Sequence, residues 1–252
     1  MVSGMQPMPS LDRNEIEKFA RLAGDWWNPD GPFAPLHKFN PVRLQFIRDA
    51  AAAHFGRDPR SIRPFAGLSL LDLGCGGGLI AEPMARLGFD VTGCDAGEET
   101  VRAAEAHAAD RGLPLVYRCA SAEELAAEAA SFDVVLALEV AEHVADVESF
   151  LAAVARLVRP GGLLIVATIN KTLKSLALAK IAAEYILRWL PAGTHDWNRF
   201  LAPARLCGMI ENASLRVLQR QGFSFDPLSW TWRLTNDLDV NYAVAASKSV
   251  VP

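Results

Sequence analysis

The sequence predicts an α/β fold, a Rossmann-like, doubly wound parallel sheet, and three observations support this prediction. Between residues 68 and 169, short aliphatic and β-branched runs alternate with amphipathic segments of helical period, which is the order of βαβ units. A glycine-rich turn directly follows the first strand-like run. The 252 residues are 51% hydrophobic, which suffices for a full-sized core and excludes disorder as the main state.

Five strands and the helices between them make up the predicted sheet. The strand candidates are residues 68–73, 89–95, 115–119, 132–138 and 163–169. Residues 98–111 and 147–158 carry apolar side chains at helical spacing, so each helix has a face to lay on the sheet. A turn at residues 159–162 (Arg-Pro-Gly-Gly) ends the second helix, because proline cannot continue the helical hydrogen bonds and glycine permits the reversal.

The segments flanking this sheet extend the single predicted domain to residues 1–252. The first 65 residues are predicted as a cover of two helices, the second beginning with Asn40 as N-cap and Pro41 at the first helical position. The expected regions are a sheet core at 66–170, a helical insertion at 171–221 and a closing strand pair at 222–252. The elements expected in them are helices at 171–190 and 203–221 and antiparallel strands at 223–232 and 239–246.

Charge and composition exclude several classes of partner and location. Lys plus Arg number 25 and Asp plus Glu number 29, a net charge of −4, so the chain lacks the basic excess that binding nucleic acid demands. No run of about 18 uncharged apolar residues occurs, so no membrane-spanning helix is expected. The first residues lack the pattern of a secretory signal and the four cysteines form no CxxC pair, which favours a cytoplasmic protein with reduced thiols.

The glycine-rich turn at residues 74–78 (Gly-Cys-Gly-Gly-Gly) predicts a nucleoside cofactor site. Glycines let the backbone approach a ligand closely, and ligands of open α/β sheets bind outside the carboxyl ends of the strands. The spacing G-x-G-x-G is met by Gly74, Gly76 and Gly78, whereas the dinucleotide fingerprint needs a glycine where this chain has Leu79. NAD is therefore disfavoured, and a purely structural glycine turn remains the alternative.

Two acidic residues complete the expected site. Asp72 lies in the first strand candidate, and Asp95 ends the second strand 17 residues after Gly78, where its carboxylate can accept hydrogen bonds from both ribose hydroxyls. This order of strand, Asp72, glycine loop, helix, strand and Asp95 resembles the class I S-adenosylmethionine-dependent methyltransferases. The resemblance implies that the loop cradles the methionine part of the cofactor and that the acidic residue holds its ribose.

Motifs outside the loop narrow the resemblance. They are W-W-N at 26–28, P-L-H-x-x-N-P-x-R at 35–43, E-V-A-E-H-V at 139–144, A-E-Y-I-L at 183–187, G-T-H-D-W at 193–197 and D-V-N-Y at 239–242. With them the chain resembles the ubiquinone biosynthesis O-methyltransferase family from residue 14 to 247. The resemblance implies methylation of phenolic hydroxyls on polyprenylated ring intermediates. It also implies that the Leu138 backbone touches the cofactor and that Arg43 contacts the amino-acid end of the cofactor. The alternative interpretation of Arg43 is an ordinary surface residue near a helix start.

Glu139, Glu142 and His143 follow the fourth strand at spacings i, i+3 and i+4, so a helical turn would place all three on one face. Two carboxylates and an imidazole can bind a divalent cation, and the family resemblance implies one here, Mg²⁺ by default or Zn²⁺ as the alternative. Because a phenol of pKa about 10 is protonated at neutral pH, Glu142 and His143 are the expected catalytic residues, with His143 as base or ligand. The alternative is an acidic helix start with a solvated histidine.

A basic amphipathic helix is predicted at residues 171–190. Such a helix can lie on an anionic membrane surface, although a lid helix packed on the domain fits equally well. Because a polyprenylated acceptor resides in the bilayer, the resemblance favours a cytoplasmic protein peripherally associated with the inner face of the membrane and with other quinone-biosynthesis enzymes. His195 is expected as an alternative base or as a turn residue. The alternative functions are methylation of another small phenol and nonenzymatic nucleoside or lipid binding.

Overall fold

The computed structural model describes residues 13–177 and 197–250, without the side chains of residues 13–15, 18 and 198. The helices within these ranges are α1 (Arg13–Ala20), α2 (Ala34–Phe55), α3 (Ala81–Arg86), α4 (Glu98–Asp110), α5 (Ala122–Ala127), α6 (Val147–Leu157), α7 (Leu173–Ser175) and α8 (Pro203–Asn212). The strands are β1 (Ser69–Leu73), β2 (Asp90–Asp95), β3 (Val116–Cys119), β4 (Phe132–Leu138), β5 (Val158–Ile169), β6 (Leu215–Asp226), β7 (Thr231–Thr235) and β8 (Asn241–Lys248). Short 3₁₀ turns lie at Ala23–Asp25 and Trp197–Arg199.

In the described part of the chain the strands form one eight-stranded sheet in the order β3-β2-β1-β4-β5-β8-β6-β7. The strands β1 to β5 are parallel, β8 pairs antiparallel with β5, and β6 pairs antiparallel with both β8 and β7. The strand order reverses between β1 and β4, and ligands of doubly wound sheets bind at such a switch point. The predicted fold class is confirmed, and the candidate site lies at the carboxyl ends of β1 and β4.

Hydrophobic layers cover both faces of the parallel sheet. Neighbouring residues of one strand point to opposite faces, so Leu70 and Leu136 pack in the layer that contains α2, α3 and α4, whereas Leu71 and Val135 pack with α5, α6 and α8. All four side chains are fully buried. This burial on both faces explains why β1 and β4 are almost uninterrupted apolar runs.

The helix α2 begins earlier than the sequence predicts. It has Pro35 in its first turn, where the missing N–H costs nothing, and it continues through Pro41. Asn40 therefore lies inside the helix, and the prediction of Asn40 as N-cap was wrong. Its buried side chain accepts a hydrogen bond from Arg43 and donates to a backbone carbonyl just before α3. Either proline fits a helix start, and packing decided between them.

The predicted helix at 203–221 and the predicted closing pair of strands were both partly wrong. The helix α8 ends at Asn212, and residues 215–221 belong to β6. Three strands close the sheet instead of two, because β6 and β7 form a hairpin while β8 lies between β6 and β5. Residues 215–221 mix apolar and polar residues without a clear period, so pairing with the buried strand β8 determines their conformation.

The turn predicted at residues 159–162 is part of a strand. The helix α6 begins at its N-cap Asp146, whose carboxylate accepts from the N–H groups of Glu148 (3.0 Å) and Ser149 (3.1 Å). After α6 ends, β5 starts at once, with an irregular register opposite β4 and with Gly161 at a φ of 76°. The chain thus reverses direction through an irregular strand start, and glycine supplies the left-handed residue that this requires.

The segment between β7 and β8 crosses over β6 at Gly222. Since β7 lies on one side of β6 and β8 on the other, residues 236–240 must pass across the middle strand. The carbonyl oxygen of Asp237 lies 1.8 Å from the position that a β-carbon on Gly222 would occupy. Only glycine leaves room for this close approach of two backbones.

Candidate functional site

The candidate cofactor loop follows β1, and its backbone adopts the left-handed conformation at three glycines. Gly74, Gly76 and Gly78 have φ angles of 66°, 52° and 88°, which glycine adopts without the steric cost that a β-carbon imposes. A hydrogen bond of 3.0 Å from the N–H of Cys75 to the carbonyl oxygen of Cys94 ties the loop to β2. The three glycines that the sequence singled out therefore occupy conformations that favour glycine.

Asp95, at the end of β2, lies beside this loop. Its carboxylate accepts hydrogen bonds from the backbone N–H groups of Gly76 (3.1 Å) and Gly97 (2.9 Å). Burial raises the pKa of Asp95, and these donors oppose the rise by stabilising the charged form. The loop thus has an oriented carboxylate at its edge, which can also accept hydrogen bonds from neighbouring hydroxyls of a ligand.

Arg43 and Asp72 form the cationic and anionic parts of a buried polar cluster next to the loop. Burial lowers the pKa of Arg43, whereas the charges of Glu139 and Asp72 raise it. Burial raises the pKa of Asp72 to about 7 although the charge of Arg43 lowers it. The Nε atom of Arg43 and the Oδ2 atom of Asp72 are buried without a hydrogen-bond partner among the described residues. A carboxylate and an ammonium group of a ligand would satisfy these two atoms.

Glu139 and Glu142 complete the cluster after β4. Glu142 is buried and accepts a hydrogen bond of 2.7 Å from the Thr168 hydroxyl. Burial raises the pKa of Glu139 to about 8, and a hydrogen bond with Glu142 and the charge of that residue add to the rise. The Oε1 atom of each carboxyl receives no hydrogen bond from an N–H or O–H group of the described residues. The pair therefore holds a proton at neutral pH.

His143 does not join the two glutamates, so the expected common face of Glu139, Glu142 and His143 was wrong. Glu139 has a left-handed φ of 57°, and a turn closed by a hydrogen bond from the N–H of His143 to the Val140 carbonyl oxygen follows it. Without a helix, the i, i+3, i+4 spacing does not align side chains. The imidazole instead meets the ring of Phe19 edge-on, with centroids 5.6 Å apart. Across residues 13–177 and 197–250, no three His, Cys, Asp or Glu side chains converge on a possible metal position.

Sequence reasoning missed the role of Trp26 in covering the loop. Its side-chain atoms come within 2.4 Å and 2.3 Å of the positions that β-carbons on Gly76 and Gly77 would occupy. The indole stacks on Phe33 at a centroid distance of 3.8 Å. The Trp26 indole thus packs directly against the backbone of Gly76 and Gly77, and a side chain at either position would displace the indole. The only sequence signal was the tryptophan pair itself, which does not reveal its contact.

Trp27 anchors the same cover to the sheet domain. Its Nε1–H donates to the Gly77 carbonyl oxygen at 2.8 Å, and its ring stacks on His107 of α4 at 3.7 Å between centroids. His107 in turn forms a 2.6 Å contact between its Nδ1 and Oε1 of the buried Glu82. Trp27 therefore contacts both the loop and α4.

The structure describes only some of the remaining residues that the sequence predicts for the site and the membrane contact. Leu138 ends β4 at the switch point, as expected. His195 and residues 178–190 of the expected membrane helix lie outside the described residues. At the start of that helix, Lys174 forms ion pairs with Asp237 (2.5 Å) and Asp239 (3.2 Å). Among the described residues, no helix has the length and apolar character needed to cross a bilayer.

Comparisons with known proteins relate this chain to methyltransferases. A family model described as a methyltransferase domain matches residues 71–166. The "Ubiquinone biosynthesis O-methyltransferase" of Mesorhizobium japonicum is 53% identical over 242 residues, 96% of this chain and 97% of that protein. The protein of the same name from Caulobacter vibrioides is 51% identical over 243 residues, 96% of each chain.

Solved structures resemble the whole fold. Magnesium protoporphyrin IX methyltransferase from Synechocystis PCC 6803, solved with bound S-adenosylhomocysteine, matches with a TM-score of 0.63 at 18% identity over 94% of this chain and 95% of that chain. A S-adenosylmethionine-dependent methyltransferase from Thermotoga maritima matches with a TM-score of 0.62 at 18% identity over 93% of this chain and 99% of that chain. At such identities the likeness establishes the fold alone.

Proposed function

The chain belongs to the ubiquinone biosynthesis O-methyltransferase family, and from this premise we propose how its residues carry out S-adenosylmethionine-dependent O-methylation. The acceptor we propose is a phenolic hydroxyl on a polyprenylated ring intermediate. The buried polar cluster beside the glycine loop carries the assignment of the site. In this cluster the guanidinium of Arg43 and three carboxyl groups each have a buried atom without a hydrogen-bond partner among the described residues. The carboxyl groups are those of Asp72, Glu139 and Glu142. Such groups are costly to bury unless a ligand or a proton satisfies them.

Each part of the cofactor has a matching group in this chain. The backbone of Gly74, Gly76 and Gly78 lies against the cofactor, and Asp95 accepts hydrogen bonds from its ribose hydroxyls. The Arg43 guanidinium pairs with the amino-acid carboxylate, and Asp72 accepts from the ammonium group. The backbone of Leu138 contacts the same end.

Methyl transfer needs the acceptor oxygen, the methyl carbon and the sulfur nearly in line. The oxygen forms a bond to the methyl carbon as the carbon–sulfur bond breaks, which yields the methyl ether, S-adenosylhomocysteine and the phenolic proton. Glu142 and Glu139 lie at the end of β4, beside the cofactor residues, where they can orient the hydroxyl and accept its proton. The Thr168 hydroxyl fixes the Glu142 carboxylate for this role. The cover with Trp26 excludes water from the loop.

A divalent cation fits the carboxylate pair better than the three-residue site that the spacing suggested. We propose Glu139 and Glu142 as its protein ligands, because Mg²⁺ commonly binds through one or two carboxylates together with oxygens of the substrate. The cation would take the place of the proton that the pair shares. When bound, it supplies charge that lowers the pKa of a phenolic hydroxyl from about 10. Without a cation, His143 is the candidate base, provided that it turns away from Phe19.

The direct test of this function is a transfer assay with labelled S-adenosylmethionine. The acceptors are short-chain catechols and hydroquinones, each assayed with and without a chelator. We expect methylated product with catechol acceptors and a loss of rate after chelation that added Mg²⁺ restores. Absence of transfer to every phenolic acceptor would contradict the proposed reaction, and a chelator-insensitive rate would contradict only the cation.

Replacing Asp95 with Ala is expected to weaken binding of S-adenosylhomocysteine by about 10-fold to 150-fold, or roughly 1.5 to 3 kcal/mol, the usual cost of losing hydrogen bonds to a charged group. Isothermal titration calorimetry measures the change. Asp95→Asn keeps an acceptor oxygen of similar shape and should lose less. Unchanged affinity in the Ala variant would contradict the assignment of Asp95 to the ribose.

The free energy of unfolding is expected to fall as the pH rises from about 4.5 to about 8, because Glu139 has a pKa of about 8 when folded and its ordinary value of 4.5 when unfolded. In this window the folded chain holds a proton that the unfolded chain has released, so folding is favoured at the acidic end. Asp72, with a pKa raised to about 7, contributes in the same direction. Chemical denaturation at several pH values measures the slope.

Glu139→Gln is the control, since the amide is neutral at every pH. Its stability should decline less over the same window, and the difference from the unsubstituted chain isolates the contribution of Glu139. Equal slopes for the two proteins would contradict a shared proton at this pair.

We also propose peripheral association with the cytoplasmic face of a membrane. The support is chemical, because a polyprenylated ring partitions into the bilayer and the enzyme must reach it there. Association with other enzymes of quinone biosynthesis remains a prediction. Sedimentation with lipid vesicles tests the membrane contact.

A further inference from the structure

An exposed apolar turn joins β6 to β7. Leu228 is 94% exposed, the largest value for a big hydrophobic side chain in the described part of the chain, and Trp230 is 51% exposed. Local hydrogen bonds close the turn, since Asp226 accepts a hydrogen bond of 2.9 Å from the Leu228 N–H and the hydroxyls of Ser229 and Thr231 lie 2.7 Å apart. The turn therefore presents two apolar side chains to the surroundings, although solvent exposure of such groups is unfavourable.

The strand register places this turn at the same end of the sheet as the candidate site. Asn241, the first residue of β8, pairs with Ile169, the last residue of β5. Phe223 of β6 pairs with Asn241, and β6 continues to Asp226. Three further residues at about 3.3 Å each carry β6 about 10 Å beyond the end of β5. The turn thus projects past the carboxyl edge of the parallel strands.

An aromatic ladder links the turn to the polar cluster. Trp230 contacts Phe225 at 5.5 Å between ring centroids, and Phe225 contacts Trp232 at 5.4 Å. Trp232 contacts Phe39 of α2 at 4.4 Å, and the Arg43 guanidinium lies 4.9 Å from the Phe39 ring. The exposed turn is therefore anchored on α2 through the rings of Phe225 and Trp232, which the substitutions proposed below leave in place.

The chemistry of the turn matches a lipid surface. A tryptophan that is half exposed, a leucine that is almost fully exposed and a lysine close by form the combination that suits the boundary between acyl chains and headgroups. The Nζ of Lys38 lies 5.3 Å from the Trp230 ring centroid. The net charge of −4 makes long-range attraction to anionic lipids weak, so the apolar side chains must supply most of the affinity.

We propose that the β6–β7 turn, through Leu228 and Trp230, is a membrane-insertion element that docks the carboxyl edge of the sheet on a lipid bilayer. The inference rests on the proposed function for its purpose, because docking at this edge brings the methyl-transfer site to an acceptor held in the membrane. The β6–β7 turn is separate in sequence from the basic segment at 171–190. Because apolar side chains supply most of the affinity, we expect high salt to leave membrane binding through this turn largely intact.

The test uses the full chain and vesicles of phosphatidylethanolamine and phosphatidylglycerol, with binding measured by flotation at low and high salt. Leu228→Ser is expected to weaken binding about fivefold, and Leu228→Ser combined with Trp230→Asn at least about twentyfold, from the apolar area withdrawn from the lipid. Asparagine is chosen because Trp230 has a left-handed φ of 54°, which asparagine tolerates. Ile62→Ser is the matched control, since Ile62 is 91% exposed but precedes β1 at the opposite end of the sheet.

Two further measurements distinguish the outcomes. The double variant should keep the affinity for S-adenosylhomocysteine and the turnover with a water-soluble acceptor, and it should lose turnover with an acceptor embedded in vesicles. Wild-type vesicle binding by the double variant, or equal losses in Ile62→Ser, would overturn the proposal and leave the proposed function intact. A change in sedimentation velocity caused by the double variant would overturn it in favour of contact between two copies of this chain. If the chain methylates no phenol but binds vesicles, and the double variant loses that binding, the function is refuted and the turn is supported.

Discussion

Replacing Glu142 with Gln is expected to lower the turnover number by about 10²-fold to 10⁴-fold, the range for loss of a positioned general acid or base. The affinity for S-adenosylhomocysteine should stay within about threefold, roughly 0.7 kcal/mol. Glutamine keeps the shape of the side chain and can still accept a hydrogen bond from Thr168, but it can neither accept the phenolic proton nor supply a charged ligand for a cation. The change therefore separates catalysis from cofactor binding.

Thr168→Val provides the control for the Glu142 variant. It removes the hydroxyl that orients Glu142 while leaving the carboxylate in place, so turnover should fall by about tenfold or less, as expected for one neutral donor. Steady-state rates with a soluble catechol and calorimetry with S-adenosylhomocysteine measure the two effects. If Glu142→Gln and chelator-treated enzyme both keep wild-type rates, the carboxylate pair is not catalytic. The remaining candidate base would then be His143.

Replacing Gly222 with Ala is expected to destabilise the fold by about 3 kcal/mol, at the upper end of what overpacking a closed site costs. A β-carbon there would lie 1.8 Å from the Asp237 carbonyl oxygen and 2.7 Å from its carbonyl carbon. Both obstacles are backbone atoms, so no side-chain rotation relieves them, and the crossing between β7 and β8 must move. Differential scanning calorimetry should show a Tm lower by about 6 to 12 °C for a chain of this size.

Gly208→Ala is the matched control for Gly222→Ala. Gly208 lies inside α8, and a β-carbon on it meets no atom within 4 Å. The same substitution should therefore stabilise the chain by about 0.5 to 1 kcal/mol, since alanine favours helix over the unfolded state more than glycine does. Equal effects at the two positions would contradict the close approach at Gly222.

The parallel part of the fold could be predicted because its signals are local. The apolar runs that became β1 and β4 and the glycine spacing of the loop reflect the demands of each segment alone, and four of the first five strands were predicted to within one residue at each end. The start of α2 was not predictable in this way. Pro35 and Pro41 each fit the first turn of a helix, and burial of Asn40 against the segment before α3 favoured the longer helix.

The candidate cation site shows that the spacing of residues in the sequence does not by itself predict which side chains meet. Glu139 and Glu142 meet as expected, but His143 does not, because the backbone at Glu139 is left-handed. A non-glycine residue in that conformation is uncommon, and nothing in the local sequence predicts it. It is held by the hydrogen bond from the Glu139 N–H to the Ala167 carbonyl oxygen of β5, at 2.9 Å.

The sequence by itself determined the sheet core, the glycine loop and the family, because strand period, helix period and the need for glycine are properties of short stretches of chain. The tertiary structure decided the rest: the conversion of residues 215–221 into β6, the crossing at Gly222, the packing of Trp26 on the loop and the orientation of His143. Each of these depends on contact between residues far apart in the chain. Local propensities differ by only about 1 kcal/mol per residue, so burial and pairing with distant strands outweigh them.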